Sequence, residues 1–97
     1  VKRYEIARHG LHRLFVEECA LRYACSGCNK TISPGQVMAS YRYSSRNMSD
    51  EYDQLSDSMH FRCLEKRWPG IQETARQRLK EFPELYKLVI LELAGGA

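Results

Sequence analysis

The sequence has no long apolar run. The longest strictly apolar stretch in its 97 residues is 88–91, far short of the ~20 residues that a membrane-spanning helix needs. It also has no internal repeat and no linker that would split it. One domain over 1–97 is therefore expected, and the length excludes a two-domain enzyme. No basic–apolar–small-residue opening of the secretory type is visible, so no leader is expected. Nor is the composition extreme. With 43% hydrophobic and 28% charged residues the chain is neither disordered nor fibrous. A chain this short buries a thin core, and thin cores often need a staple.

The candidate staple is the set of four cysteines, Cys19, Cys25, Cys28 and Cys63. Cys25 and Cys28 form a C-x2-C pair. After thirty-one intervening residues, His60 and Cys63 form an H-x2-C pair. Zinc takes four nitrogen or sulfur ligands in a tetrahedron, and two pairs at two-residue gaps supply two half-sites. The first pair suits a tight turn. Gly27 lies within it, and Asn29 just after it tolerates a left-handed backbone. The second pair suits a helical turn, where residues three apart share a face. A thioredoxin-type redox pair at Cys25 and Cys28 would want a βαβ context, which the sequence does not show. Two structural disulfides would suit a secreted chain. The spacing favours one structural Zn2+ on Cys25, Cys28, His60 and Cys63, and hence a reducing, intracellular setting. Cys19 is expected to pack as a small apolar group, and His9 and His12 to lie at the surface. Four protein ligands close the site and leave no position for an activated water. This argues against a zinc hydrolase, and no Cys–His or carboxylate pair is placed by motif for catalysis, so neither an enzyme nor a small-molecule substrate is expected.

Along the chain, residues 1–10 suit a short helix or an edge strand, and 11–16 a strand or a helical turn. Residues 36–43 alternate, with Val37, Ala39 and Tyr41 on one face, as a half-buried strand would. Residues 44–58 read as a polar, acidic loop without a period. Residues 59–67 run from strand into helix, and Pro69-Gly70 breaks the chain. Ile71, Ala75, Leu79 and Phe82 recur at helical spacing. Pro83 suits the start of a further helix and Gly95-Gly96 its end, with a strand over 87–93 as the competing assignment. The fold class is thus α+β. A small zinc-stapled antiparallel sheet carries a helix after the last ligands and an added C-terminal helical segment over 71–97, beyond a finger core at 11–70.

The net charge of +3 is unevenly spread. Lys2, Arg3, Arg8, Arg13, Arg22, Lys30, Arg42 and Arg46 outnumber Glu5, Glu17 and Glu18 in the first half. Asp50, Glu51, Asp53 and Asp57 make the stretch after Asn47 acidic. Cationic side chains bind phosphates by releasing condensed counterions, and aromatic rings stack on exposed bases. Arg22, Lys30, Arg42 and Arg46 are the phosphate-contact candidates, with Tyr41 and Tyr43 as stacking candidates.

The stretch Leu21-Arg22-Tyr23-Ala24-Cys25-Ser26-Gly27-Cys28-Asn29-Lys30-Thr31-Ile32-Ser33-Pro34-Gly35 resembles the PARP-type zinc finger, the DNA-break-sensing module of poly(ADP-ribose) polymerases and DNA ligase III. Arg22, Ile32 and Gly35 stand at the family's Arg, Ile and Gly positions, and His60-Phe61-Arg62-Cys63 supplies the closing pair. The likeness covers roughly 14–68. Leu21, Met38 and Met59 stand where the family commonly has a Gly, a cation and an aromatic. The resemblance implies a treble-clef-related, non-catalytic module in which Arg22 grips phosphate, with DNA or DNA breaks in chromatin as partner and a nuclear location. A rival function is a protein-interaction or self-association module, using the acidic stretch and the apolar segment within 71–97.

Overall fold

The structure is a computed structural model that describes residues 3–46 and 51–94, with side chains described for 3–43 and 54–94. Four antiparallel strands form the main sheet, in the order β1-β2-β5-β6. They are β1 (Arg3–His9), β2 (His12–Glu18), β5 (Val37–Arg46) and β6 (Glu51–His60). A two-stranded hairpin, β3 (Tyr23–Ala24) with β4 (Thr31–Ile32), interrupts the chain between β2 and β5. After β6 come a 3-10 turn (Phe61–Cys63) and three helices: α1 (Leu64–Arg67), α2 (Ile71–Leu79) and α3 (Pro83–Leu93). The expected α+β class, with a helix after the last cysteine and further helices towards the C-terminus, is what the chain forms.

The first hairpin turns on Gly10-Leu11, between the paired His9 and His12. Gly10 has φ 62°, the positive value that a II′ turn places at its first central residue. Register puts Leu14 opposite Tyr41 and Val16 opposite Ala39, so these side chains share one sheet face. The helices cover that face. Tyr41 stacks on Trp68 at 5.6 Å, and Tyr4 meets Phe82 at 4.4 Å between ring centroids. One continuous core results, joining Leu14, Val16 and Ala39 of the sheet to Leu64, Ala75, Leu79 and Val89 of the helices. The apolar stretch in 85–93 lies in α3, not in a strand, and buries Leu85 and Val89. The Gly95-Gly96 stop lies outside the described residues.

The opposite sheet face is charged but shielded. Phe15 is buried there beneath two guanidinium groups, Arg13 at 4.7 Å and Arg3 at 5.8 Å from the ring centre. With helices on one face and these side chains on the other, four consecutive β2 residues, Leu14 to Glu17, are buried.

The polar loop expected over 44–58 is instead largely hairpin, with 44–46 closing β5 and 51–58 belonging to β6; residues 47–50 lie outside the described residues. The reason lies in the register. β2 ends at His12 opposite Tyr43, so beyond Tyr43 the sheet narrows to β5 and β6. Residues 44–46 and 51–53 pair only with each other there, and 54–58 run along the outer edge of the sheet. A bulge between the Tyr41–Asp57 and Arg42–Leu55 pairs further breaks the period.

Candidate metal centre

Two short elements bring the expected ligands together. The first is the β3–β4 hairpin. Cys25 follows Ala24, and its N–H donates to the Lys30 carbonyl at 2.9 Å, while Asn29 N–H donates to the Cys25 carbonyl at 2.8 Å. Asn29 takes φ 62°, the left-handed conformation that its type tolerates. The resulting knuckle turns its N–H groups inwards, with Gly27 N–H 3.3 Å from Cys25 Sγ. Gly27 itself cannot carry a side chain in place: a Cβ there would lie 2.7 Å from Cys63 Cβ and 3.3 Å from Cys63 Sγ.

The second element is the end of β6 and the 3-10 turn after it. His60 is still extended, and Cys63 closes the turn and caps α1. Phe61, fully buried between them, anchors the turn in the core. His60 N–H donates to Cys25 Sγ at 3.2 Å, and His60 Nδ1 lies 3.3 Å from Cys28 Sγ. The knuckle docks along β6, with Ser26 N–H donating to the Ser58 carbonyl and Ser58 Oγ donating to the Ala24 carbonyl.

The ligand atoms of Cys25, Cys28, His60 and Cys63 all lie within 4.8 Å of one another. For bonds of about 2.3 Å to sulfur and 2.0 Å to nitrogen, a tetrahedral centre spaces its ligands by about 3.5–3.8 Å. The group therefore has the donors and the dimensions to hold a single metal ion. Its electrostatics ask for one. Burial pushes the Cys25 thiol up, but the N–H groups of His60, Cys28 and Gly27 outweigh it and bring the pKa down to about 6. Burial, followed by the neighbouring Cys25 and Cys28 sulfurs, drives Cys63 up to about 12. The protein's own dipoles thus favour one thiolate and resist another beside it. A cation at the centre removes that conflict and holds the thiolates ionised.

The remaining site residues separate into exposed and internal groups. Arg22 and Lys30 flank the knuckle, are exposed, and make no ion pair with any described residue. Tyr43 is 39% exposed. Arg42, expected at a phosphate-binding surface, is instead buried at 8% exposure and turned to the Glu17 carboxylate and the Ser40 hydroxyl. Its β5 position opposite Arg13 on β2 places it inside the charged face. Tyr41, expected to offer a stacking face, is already stacked against both His12 and Trp68. The Arg46 side chain lies outside the described residues, as do those of Asp50, Glu51 and Asp53. His12 is half-buried against Tyr41 rather than at the surface, whereas His9 is exposed. Cys19 is buried, donates to the Leu21 carbonyl, and has its thiol pKa raised chiefly by burial. It stands apart from the metal-ligand group, as its expected packing role requires.

Two contacts that secure the centre escape a reading of the sequence. Arg62, inside the H-x2-C segment, reaches the buried Glu92 of α3 at 2.5 Å. Asp57 bridges the knuckle and α1, accepting from Ser26 Oγ at 3.0 Å and from Arg67 at 2.7 Å. Each joins residues ten to thirty-one positions apart, which no local pattern marks. No family model, curated protein or solved structure matches the chain.

Proposed function

We propose that this chain is a non-catalytic, zinc-stapled module that binds nucleic acid, with DNA in chromatin as the partner and the nucleus as its setting. Three cysteines and a histidine are the donor set of a structural zinc site. All four ligands come from the protein, which supports a structural and not a catalytic ion.

The observation that carries the nucleic-acid reading is the placement of Arg22 and Lys30. Both are exposed, and neither has an acidic partner among the described residues. Lys30 is tied through its carbonyl to Cys25 N–H, so the metal knuckle fixes the backbone from which its charge projects. Two unneutralised cations on either side of the knuckle can each take a phosphate. The exposed Tyr43 ring adds a stacking surface. The contact set is therefore narrower than the charge pattern suggests, because Arg42 spends its charge internally. DNA and the nuclear setting rest on the likeness of residues 14–68 to the PARP-type finger, in which Arg22 occupies the phosphate-gripping position.

Titration of the zinc-loaded chain against nicked and intact duplex DNA at several salt concentrations tests the reading. Affinity is expected to fall linearly on a log–log plot, and Arg22→Ala and Lys30→Ala are each expected to reduce the slope by about one. Absence of binding at low salt, or slopes unchanged in both variants, refutes it.

A further inference from the structure

A groove of about 550 Å3 runs between the end of β2 and the start of α3. Its apolar floor includes Phe82, Leu85 and Leu88, and Glu18, Glu81 and Glu84 stand around it. The volume is that of a ligand-binding cleft. The floor is held in place from below: Leu85 is buried in the core, and Phe82, 39% exposed, rests on the Tyr4 ring. Leu21, which follows the lining residue Ala20 in the chain, is 65% exposed. All three lining charges are negative, although the chain as a whole carries +3. None of the three carboxylates is ion-paired with a described residue.

We propose that this groove docks a basic, apolar segment of a partner protein, with one or two leucine-sized side chains on the Phe82–Leu85–Leu88 floor and lysine or arginine side chains against Glu18, Glu81 and Glu84. Charge selects this occupant. An apolar segment alone leaves three unpaired carboxylates beside a dried floor, at a desolvation cost. An acidic segment adds like-charge repulsion. A nucleic acid is repelled for the same reason, so the groove and the Arg22–Lys30 knuckle suit different partners. A cationic segment meets the exposed carboxylates around the floor, and electrostatic complementarity of this kind governs specificity and encounter rate. The proposal does not depend on the nucleic-acid reading.

The test uses the full metal-loaded chain and a fluorescent peptide of two leucines flanked on each side by two arginines. Control peptides replace the arginines by glutamates or the leucines by serines. Saturable binding of the first peptide alone is expected, weakening as salt rises. Glu81 and Glu84 are both exposed, so the Glu81→Gln/Glu84→Gln double variant keeps the fold. It is expected to bind about three- to tenfold more weakly, since exposed charge pairs contribute modestly. Amide shifts of the wild-type chain are expected to move at Leu21, Phe82 and Leu88. Equal binding of the acidic peptide, unchanged affinity in the double variant, shifts confined to Arg22 and Lys30, or a second copy of the chain occupying the groove at the same concentration would each overturn the proposal.

Discussion

Replacing Gly27 by Ala is the most local perturbation of the metal centre that leaves every ligand in place. The added Cβ falls 2.7 Å from Cys63 Cβ, roughly 1 Å inside the ordinary 3.5–4.0 Å carbon contact. Both atoms belong to short, constrained segments, the knuckle turn and the 3-10 turn, so neither is the free end of a flexible side chain. Relief must come from moving the knuckle away from Cys63. A metal site tolerates ligand displacements of only about 0.2 Å, so the strain falls on the bonds to the ion. Overpacking of this kind costs about 1–3 kcal/mol, which is about a 5- to 150-fold loss of metal affinity. Competition for zinc against a chelator of known affinity measures it directly. Gly10→Ala is the control. Gly10 also has a positive φ, but an added Cβ there meets nothing within 4 Å, so this variant carries backbone strain without touching a ligand. Affinity in Gly27→Ala equal to that of the wild type, or no lower than in Gly10→Ala, would refute the close approach of the two half-sites.

The Arg62–Glu92 pair should show strong coupling. Glu92 has only 2% of its side chain exposed and Arg62 has 37%, so Arg62→Ala leaves a buried carboxylate without its cation, at a cost of about 2–4 kcal/mol. Urea unfolding of the metal-loaded chain should find Arg62→Ala/Glu92→Gln less destabilised than the sum of the single changes, and strict additivity would deny the contact. For Glu5, burial pushes the carboxyl up, but Arg13 and Arg8 outweigh it and hold the pKa below its usual 4.5. A depressed pKa contributes stability above the unfolded value that is lost as pH falls through the folded one. Glu5→Gln should therefore be less stable than the wild type near pH 7, and the gap should close below pH 4.5; a gap that persists or widens in acid has the wrong sign.

The grouping of Cys25, Cys28, His60 and Cys63 was legible in the sequence because two-residue gaps confine each pair to one turn, whatever the intervening chain does. The same holds for Gly27 and Asn29, whose backbone demands are local. The α3 start at Pro83 was equally visible, since proline fits the first helical turn and no partner is needed to see it. What stayed hidden was set by residues far apart in the chain. Nothing in 44–58 announces a strand, because 44–46 and 51–53 pair only with each other beyond Tyr43, while 54–58 run along the sheet's edge past a bulge. Arg42 looked like a surface cation until register placed it beside Glu17 and Ser40, and Tyr41 like a free ring until Trp68, after the last helical turn of α1, came to lie on it. Charge and aromaticity state what a side chain is able to bind, and only topology states whether that capacity is already used.

Zinc analysis of the purified chain, with circular dichroism followed through chelation, tests the central claim most directly. About one equivalent of zinc is predicted, with loss of the fold when the ion is removed and none retained by Cys25→Ala, because structural zinc contributes folding free energy outright. A chain that stays folded, cooperative and metal-free in excess chelator would contradict the account.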